Sequence, residues 1–142
     1  MMDRHSIIVK IQESADKYGV SIKQEIEKLT LAFKMATDRE LFFGLFSFFY
    51  DPDLQENSHQ RQLLAGTMLF QISPKCPLKM DGAIFASPSN WDKSVKELPW
   101  YFCKAFGKSN VQAFLEELLP NIQEGEIKEG TKAMLDWVNA CE

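Results

Sequence analysis

Apolar residues recur at steps of three and four along most of the chain, the period of an α-helix with one buried face. Ile7, Ile8, Ile11, Ala15 and Tyr18 form the first stripe, and Gly19 follows where a helix commonly ends on a left-handed residue. Ser21, with Gln24 three residues on, has the spacing of a capping box and predicts a second helix. Ile22, Ile26, Leu29, Phe33 and Ala36 lie along its buried face. So short a link between two amphipathic helices predicts a helical hairpin.

Thr37 and Glu40 repeat the capping pattern and open the Phe-rich run Leu41–Tyr50 (LFFGLFSFFY). That run is apolar on every face, as expected of a helix surrounded by others. Its aromatics also suit a buried strand, and the cap and helical neighbours decide for a helix. Pro52 ends it, because proline disfavours α geometry in the residue before it. Leu63, Leu64, Met68 and Leu69 predict a helix over residues 58–70. Residues 73–90 (SPKCPLKMDGAIFASPSN) break the pattern with three prolines and one glycine. This segment is expected to be ordered, pinned to the core by Met80, Ile84 and Phe85, with one short helical turn or extended piece.

Helical pattern resumes after Ser89, and Pro99 cannot sit deep in a helix, so a break or a fresh start is expected near Leu98, then a helix to Phe106, where Gly107 ends it. Ser109 and Gln112 form a third capping pattern, followed by the stripe Val111, Phe114, Leu115 and Leu118 and the terminator Pro120. Ile127, Thr131, Met134, Val138 and Cys141 mark the last helix. The chain is therefore expected to be all-α: residues 1–142 as a single helical domain of six to seven short antiparallel helices. Two architectures fit, an irregular bundle or a short helical-hairpin array. In favour of the array, residues 51–69, an Asp-rich turn followed by Arg61 and an amphipathic helix, resemble the inner turn of a HEAT-type repeat. No period of about 40 residues repeats that signature, and the resemblance implies no functional residue. The expected core is Ile11, Ile26, Leu29, Phe33, Phe42, Leu45, Phe46, Phe49, Leu64, Phe102, Phe106, Phe114, Leu118, Met134 and Val138.

Composition adds bounds. Over 142 residues the chain is 45% hydrophobic and 25% charged, ordinary for a globular protein and wrong for a disordered or collagen-like one. Its longest apolar run has ten residues, half of the roughly 20 a membrane-spanning helix needs. Three cysteines, Cys76, Cys103 and Cys141, with no CxxC pair, fit a reducing compartment better than a disulfide scaffold. The first residues lack the apolar run of a signal peptide. A cytoplasmic protein without a membrane partner is expected.

Motifs for chemistry are sparse. Glu56-x-x-His59 has the spacing of a metal-binding pair, but no second copy exists. Asp51-x-Asp53-x-Gln55 starts like a calcium loop, whose required Gly and Glu positions hold Glu56 and Gln62. Cys76 between Lys75 and Lys79 would be a nucleophile only with a base, and His59 is the one candidate. No cofactor, metal or catalytic residue is expected.

Charge is segregated. The net charge is −4, against a general nucleic-acid binder. Yet residues 73–110 set Lys75, Lys79, Lys93, Lys96, Lys104 and Lys108 against Asp81, Asp92 and Glu97, a net +3, and residues 111–142 carry a net −5. Trp91 and Trp100 lie in the basic stretch, where aromatics beside charges mark a binding surface unless both rings belong to the core and the lysines only solubilise. Lys75, Lys79, Asp81, Trp91 and Trp100 are the candidate binding residues. The leading expectation is a non-enzymatic module that binds another protein, for instance a basic one drawn in by an acidic patch. The alternative is an enzyme or small-ligand binder with a pocket under residues 73–90.

Overall fold

The computed structural model describes residues 2–141, which form eight α-helices and no strand. They are α1 (Arg4–Tyr18), α2 (Lys23–Phe33), α3 (Asp38–Phe46), α4 (Ser58–Ile72), α5 (Met80–Ala86), α6 (Glu97–Phe106), α7 (Lys108–Leu118) and α8 (Glu126–Ala140). Three-residue 3₁₀ turns follow α3, precede α4 and follow α7. Eight helices exceed the expected six to seven because residues 80–86 of the irregular segment wind into α5.

Local chemistry explains most boundaries. Asp3 caps α1 by accepting from the Ser6 N–H, and Gly19 ends it at φ +67°, a region that favours glycine. Thr37 accepts from the Glu40 N–H, so the capping box predicted for α3 forms. The other two do not. Ile22 occupies the cap of α2, so the helix begins one residue beyond the frame that Ser21 and Gln24 require. Gly107 occupies the cap of α7, which puts Ser109 inside the first turn, unable to cap it. Pro99 is the third residue of α6, within the first turn, where its missing N–H has no intrahelical partner to lose.

The helices share one core. α1 lies against α3 and α4, α4 against α6, and α6 against α7 and α8. The Phe-rich run fills the centre: Phe42 stacks on Phe46 at 4.9 Å, and Phe46 meets Phe102 edge-on at 6.2 Å. Phe42, Phe46, Phe48 and Phe49 are all buried. Four expected core residues are only half-buried, namely Ile26, Phe106, Phe114 and Leu118. On α7 the reason is rotation. Val111 and Leu115, one turn apart, take the inward face, which leaves Phe114 and Leu118 at its rim.

Two polar ties cross the core's edge. Arg61 of α4 is buried and pairs with Asp16 of α1 through Nε at 3.0 Å and Nη2 at 2.8 Å. Gln62, also buried, holds the 90–92 turn by its main chain. Among the described residues no helix is long and apolar enough to cross a membrane.

Candidate functional site

The five predicted binding residues do not converge. Trp91 is a correction: it is 4% exposed, and its Nε1 donates to the Val95 carbonyl at 2.9 Å. The turn that carries it is pinned from both sides, the Trp91 N–H donating to Ser87 O and the Gln62 amide gripping Asn90 O and Asp92 N. That grip fixes the backbone with the indole in the core. Trp100 is half-buried. Its Nε1 donates to Trp137 O at 2.9 Å, and its ring lies 6.0 Å from that of Phe70. Lys75 is exposed and its N–H donates to Asp38. Lys79 and Asp81 are exposed at the start of α5, where Asp81 accepts from the Gly82 N–H.

Nor do the catalytic candidates assemble. His59, Asp92 and Ser94 meet, the residue types of a hydrolase triad. However, Asp92 Oδ2 at 2.9 Å and Ser94 Oγ at 3.5 Å approach the same ring nitrogen, Nδ1. A triad needs the serine on the opposite nitrogen. Ser94 instead donates to Asp92 Oδ1, which also accepts from the Ser94 N–H, so the group braces a turn. Burial pushes the Asp92 carboxyl up, but the bonds from Ser94 and His59 outweigh it and hold it below the usual range. Burial also pushes the Cys76 thiol up, against the effect of Leu78 and Tyr101, which leaves little thiolate. Asp51 accepts from the Asp53 N–H and caps a 3₁₀ turn. Glu56 precedes α4, so Glu56 and His59 do not share a helical face. Among the described residues no three His, Cys, Asp or Glu side chains cluster as metal ligands would.

What does converge lies around α5, α6 and α7. Ala83 and Ile84 of α5 are buried, and the next position, a rotation of about 100° away, carries Phe85 into solvent at 57% exposure. Its ring meets Phe114 edge-on at 5.7 Å. Phe114 continues into an open groove of about 400 Å³ with Met80, Phe106, Asn110, Ala113 and Glu117. No protein family, curated protein or solved structure matches the chain. The site is therefore read from its own chemistry. An exposed aromatic resting on a ring that lines a groove is the kind of apolar surface that binds.

Two further hollows flank Lys104. One, of about 270 Å³, lies beneath the start of the irregular segment, between Pro74, Lys75 and Cys76 on one side and Tyr101 and Phe106 on the other. The Tyr101 hydroxyl donates to Pro74 O at 2.7 Å and ties the segment down, and burial pushes that hydroxyl's pKa up. Lys79 and Asp81 do not line this hollow. The other, of about 420 Å³, is walled by Phe70, Trp100, Cys103 and Ala140.

The sequence reading missed Phe85 and Phe114 as surface groups, taking one as an anchor and the other as core. The signal was weak: Ala83, Ile84 and Phe85 are consecutive, and a short surface helix does not turn three consecutive positions, about 200° of its circumference, into the core.

Proposed function

We propose that this protein is a non-enzymatic protein-binding module that holds a basic, amphipathic segment of a partner protein against the Phe85–Phe114 groove. The observation that carries this reading is Phe85, a large aromatic at 57% exposure whose ring edge rests on Phe114. Such rings are rigid, bury a large area on contact and dominate interface energies. The charge around the groove supports a basic partner. Glu117 lines it, Asp81 follows Met80 on α5, and Glu116 is exposed on α7. Lys79 precedes Met80, Lys75 and Lys104 line the adjacent hollow that shares Phe106, and the chain carries a net −4. An acidic rim speeds encounter with a basic partner and sets its orientation. The three cysteines are free thiols, which supports a cytoplasmic setting.

The test uses two model helices of equal length and leucine content, one with a lysine face and one with a glutamate face. The lysine peptide is expected to bind, and Phe85→Ser to weaken it at least about tenfold without lowering the melting temperature. Equal binding by parent and variant, or equal binding of the glutamate peptide, overturns the reading.

A further inference from the structure

The hollow on the far side of Lys104 has a different character from the groove at Phe85. Its walls come from four helices: Phe70 near the end of α4, Trp100 and Cys103 of α6, Lys108 at the start of α7, and Ala140 with Cys141 at the end of α8. Its volume of about 420 Å³ falls in the range of small-molecule sites, roughly 300–1,000 Å³. The lining is apolar apart from two ammonium groups, those of Lys104 and Lys108.

Both ammonium groups are held in place. Lys104 Nζ donates to Phe70 O at 2.9 Å and sits 3.9 Å from the centre of the Phe70 ring. Lys108 Nζ donates to Cys141 O and to Asn139 O. Neither lysine pairs with a carboxylate among the described residues. An ammonium has three donors, so each keeps at least one for a further acceptor. Lys108 is also the first residue of α7, where the helix dipole adds positive potential. The carbonyls at the ends of α4 and α8 hold the two ammonium groups from one side, and among the described residues no carboxylate lines the wall, while burial and the neighbouring Cys141 push the Cys103 thiol up to about 12. Asp136 lies one turn before Ala140 on α8 and does not line the hollow.

We propose that this hollow is a binding site for a small carboxylic acid with an apolar body. The carboxylate meets Lys104 and Lys108, and the body lies along Phe70 and Trp100. An apolar cavity with two fixed cations favours a ligand that is apolar over most of its length and anionic at one end. A neutral lipid-like molecule leaves both ammonium groups without a counter-charge. An inorganic anion leaves the Phe70 and Trp100 walls uncovered.

Decanoate is the probe, decan-1-ol its neutral control, and calorimetry with tryptophan fluorescence the readout. Decanoate is expected to bind at least about tenfold more tightly than decan-1-ol, the usual scale for hydrogen bonds to charged groups. Its affinity should fall with added salt while that of decan-1-ol stays constant. Lys104→Gln with Lys108→Gln should erase the preference for decanoate and leave decan-1-ol binding unchanged. Trp100→Phe should keep the binding heat and lose the fluorescence change. Equal affinity for the two probes, or a decanoate affinity insensitive to salt, overturns the proposal without any variant having to fold.

Discussion

Gln62 receives the Asp92 N–H on its side-chain oxygen at 2.7 Å, across 30 residues of chain. The same amide donates from Nε2 to Asn90 O at 2.7 Å and to Phe48 O at 3.1 Å. With Gln62 1% exposed, one buried side chain satisfies three main-chain groups from two segments. Gln62→Met keeps the volume and strands those groups. Each unsatisfied buried group costs about 1–3 kcal/mol, and Phe48 O retains Gln55. The expected loss is roughly 2–4 kcal/mol by urea unfolding, with a red shift of Trp91 emission as its turn loosens. A loss below about 1 kcal/mol would show that water replaces the amide there.

Trp91 and Phe85 should behave in opposite ways. Trp91→Ala removes a core ring and should cost roughly 3–5 kcal/mol. Phe85→Ala removes a ring that is mostly in water and should cost less than about 1 kcal/mol. Thermal melts of the two variants side by side check the pair. Equal losses would mean that Phe85 is a structural anchor and that the groove belongs to the core.

That contrast also marks where the sequence stops being legible. Periodicity and turn chemistry identify an all-helical chain, because each stripe and each of Gly19, Thr37 and Gly107 acts within a few residues of itself, whereas the α-helix of the Phe-rich run stops at Phe46, short of Pro52, which opens a 3₁₀ turn of its own. The Phe-rich run reads as a central helix because its cap is local. Trp91 and Phe85 are decided by groups far away in the chain. Gln62 turns Trp91 inward from 29 positions upstream, and Phe114 on α7 gives Phe85 its surface partner. Two of three capping boxes fail for a local reason instead, since Ile22 and Gly107, one and two residues away, take the cap positions that the spacing assigns to serines. The cleft at Trp100 combines four helices, and no short motif encodes such a meeting.

At Gly44, α3 lies directly against α1. A Cβ there would lie 2.8 Å from Ile7 Cγ2 and 2.9 Å from Ile7 Cβ, with the Arg4 carbonyl at 3.2 Å. Ile7 is itself fully buried. Gly44→Ala gains helix propensity of at most about 1 kcal/mol and meets an overpacking penalty of roughly 1–3 kcal/mol. Net destabilisation of about 1–2 kcal/mol is expected. Ile7→Ala removes the contacting Cγ2, so Gly44→Ala should cost less in that background than in the parent, and an equal cost would place the strain elsewhere.

The pairing of Asp16 with Arg61 predicts a specific acid sensitivity. Hydrogen bonds from Arg61 and then from Asn57 hold the Asp16 carboxyl below its usual range, against a smaller upward effect of burial. In the unfolded chain the group titrates near 3.9. A carboxyl depressed on folding contributes stability that is fully present above that unfolded value. The contribution is lost as pH falls through the lower folded value. The Asp16 side chain is 44% exposed, so solvent screens the charge, while the Arg61 end is buried at 9%. Removing the carboxylate therefore leaves a buried guanidinium with a poorer partner. Asp16→Asn should be less stable than the parent at pH 7, and the gap should narrow steadily below about pH 4. Urea midpoints measured from pH 7 to pH 2 check this, with Asn57→Ala as a companion that keeps the Arg61 pair. A constant gap across that range would show that the Asp16 charge contributes nothing and that Asn disturbs the site by shape alone.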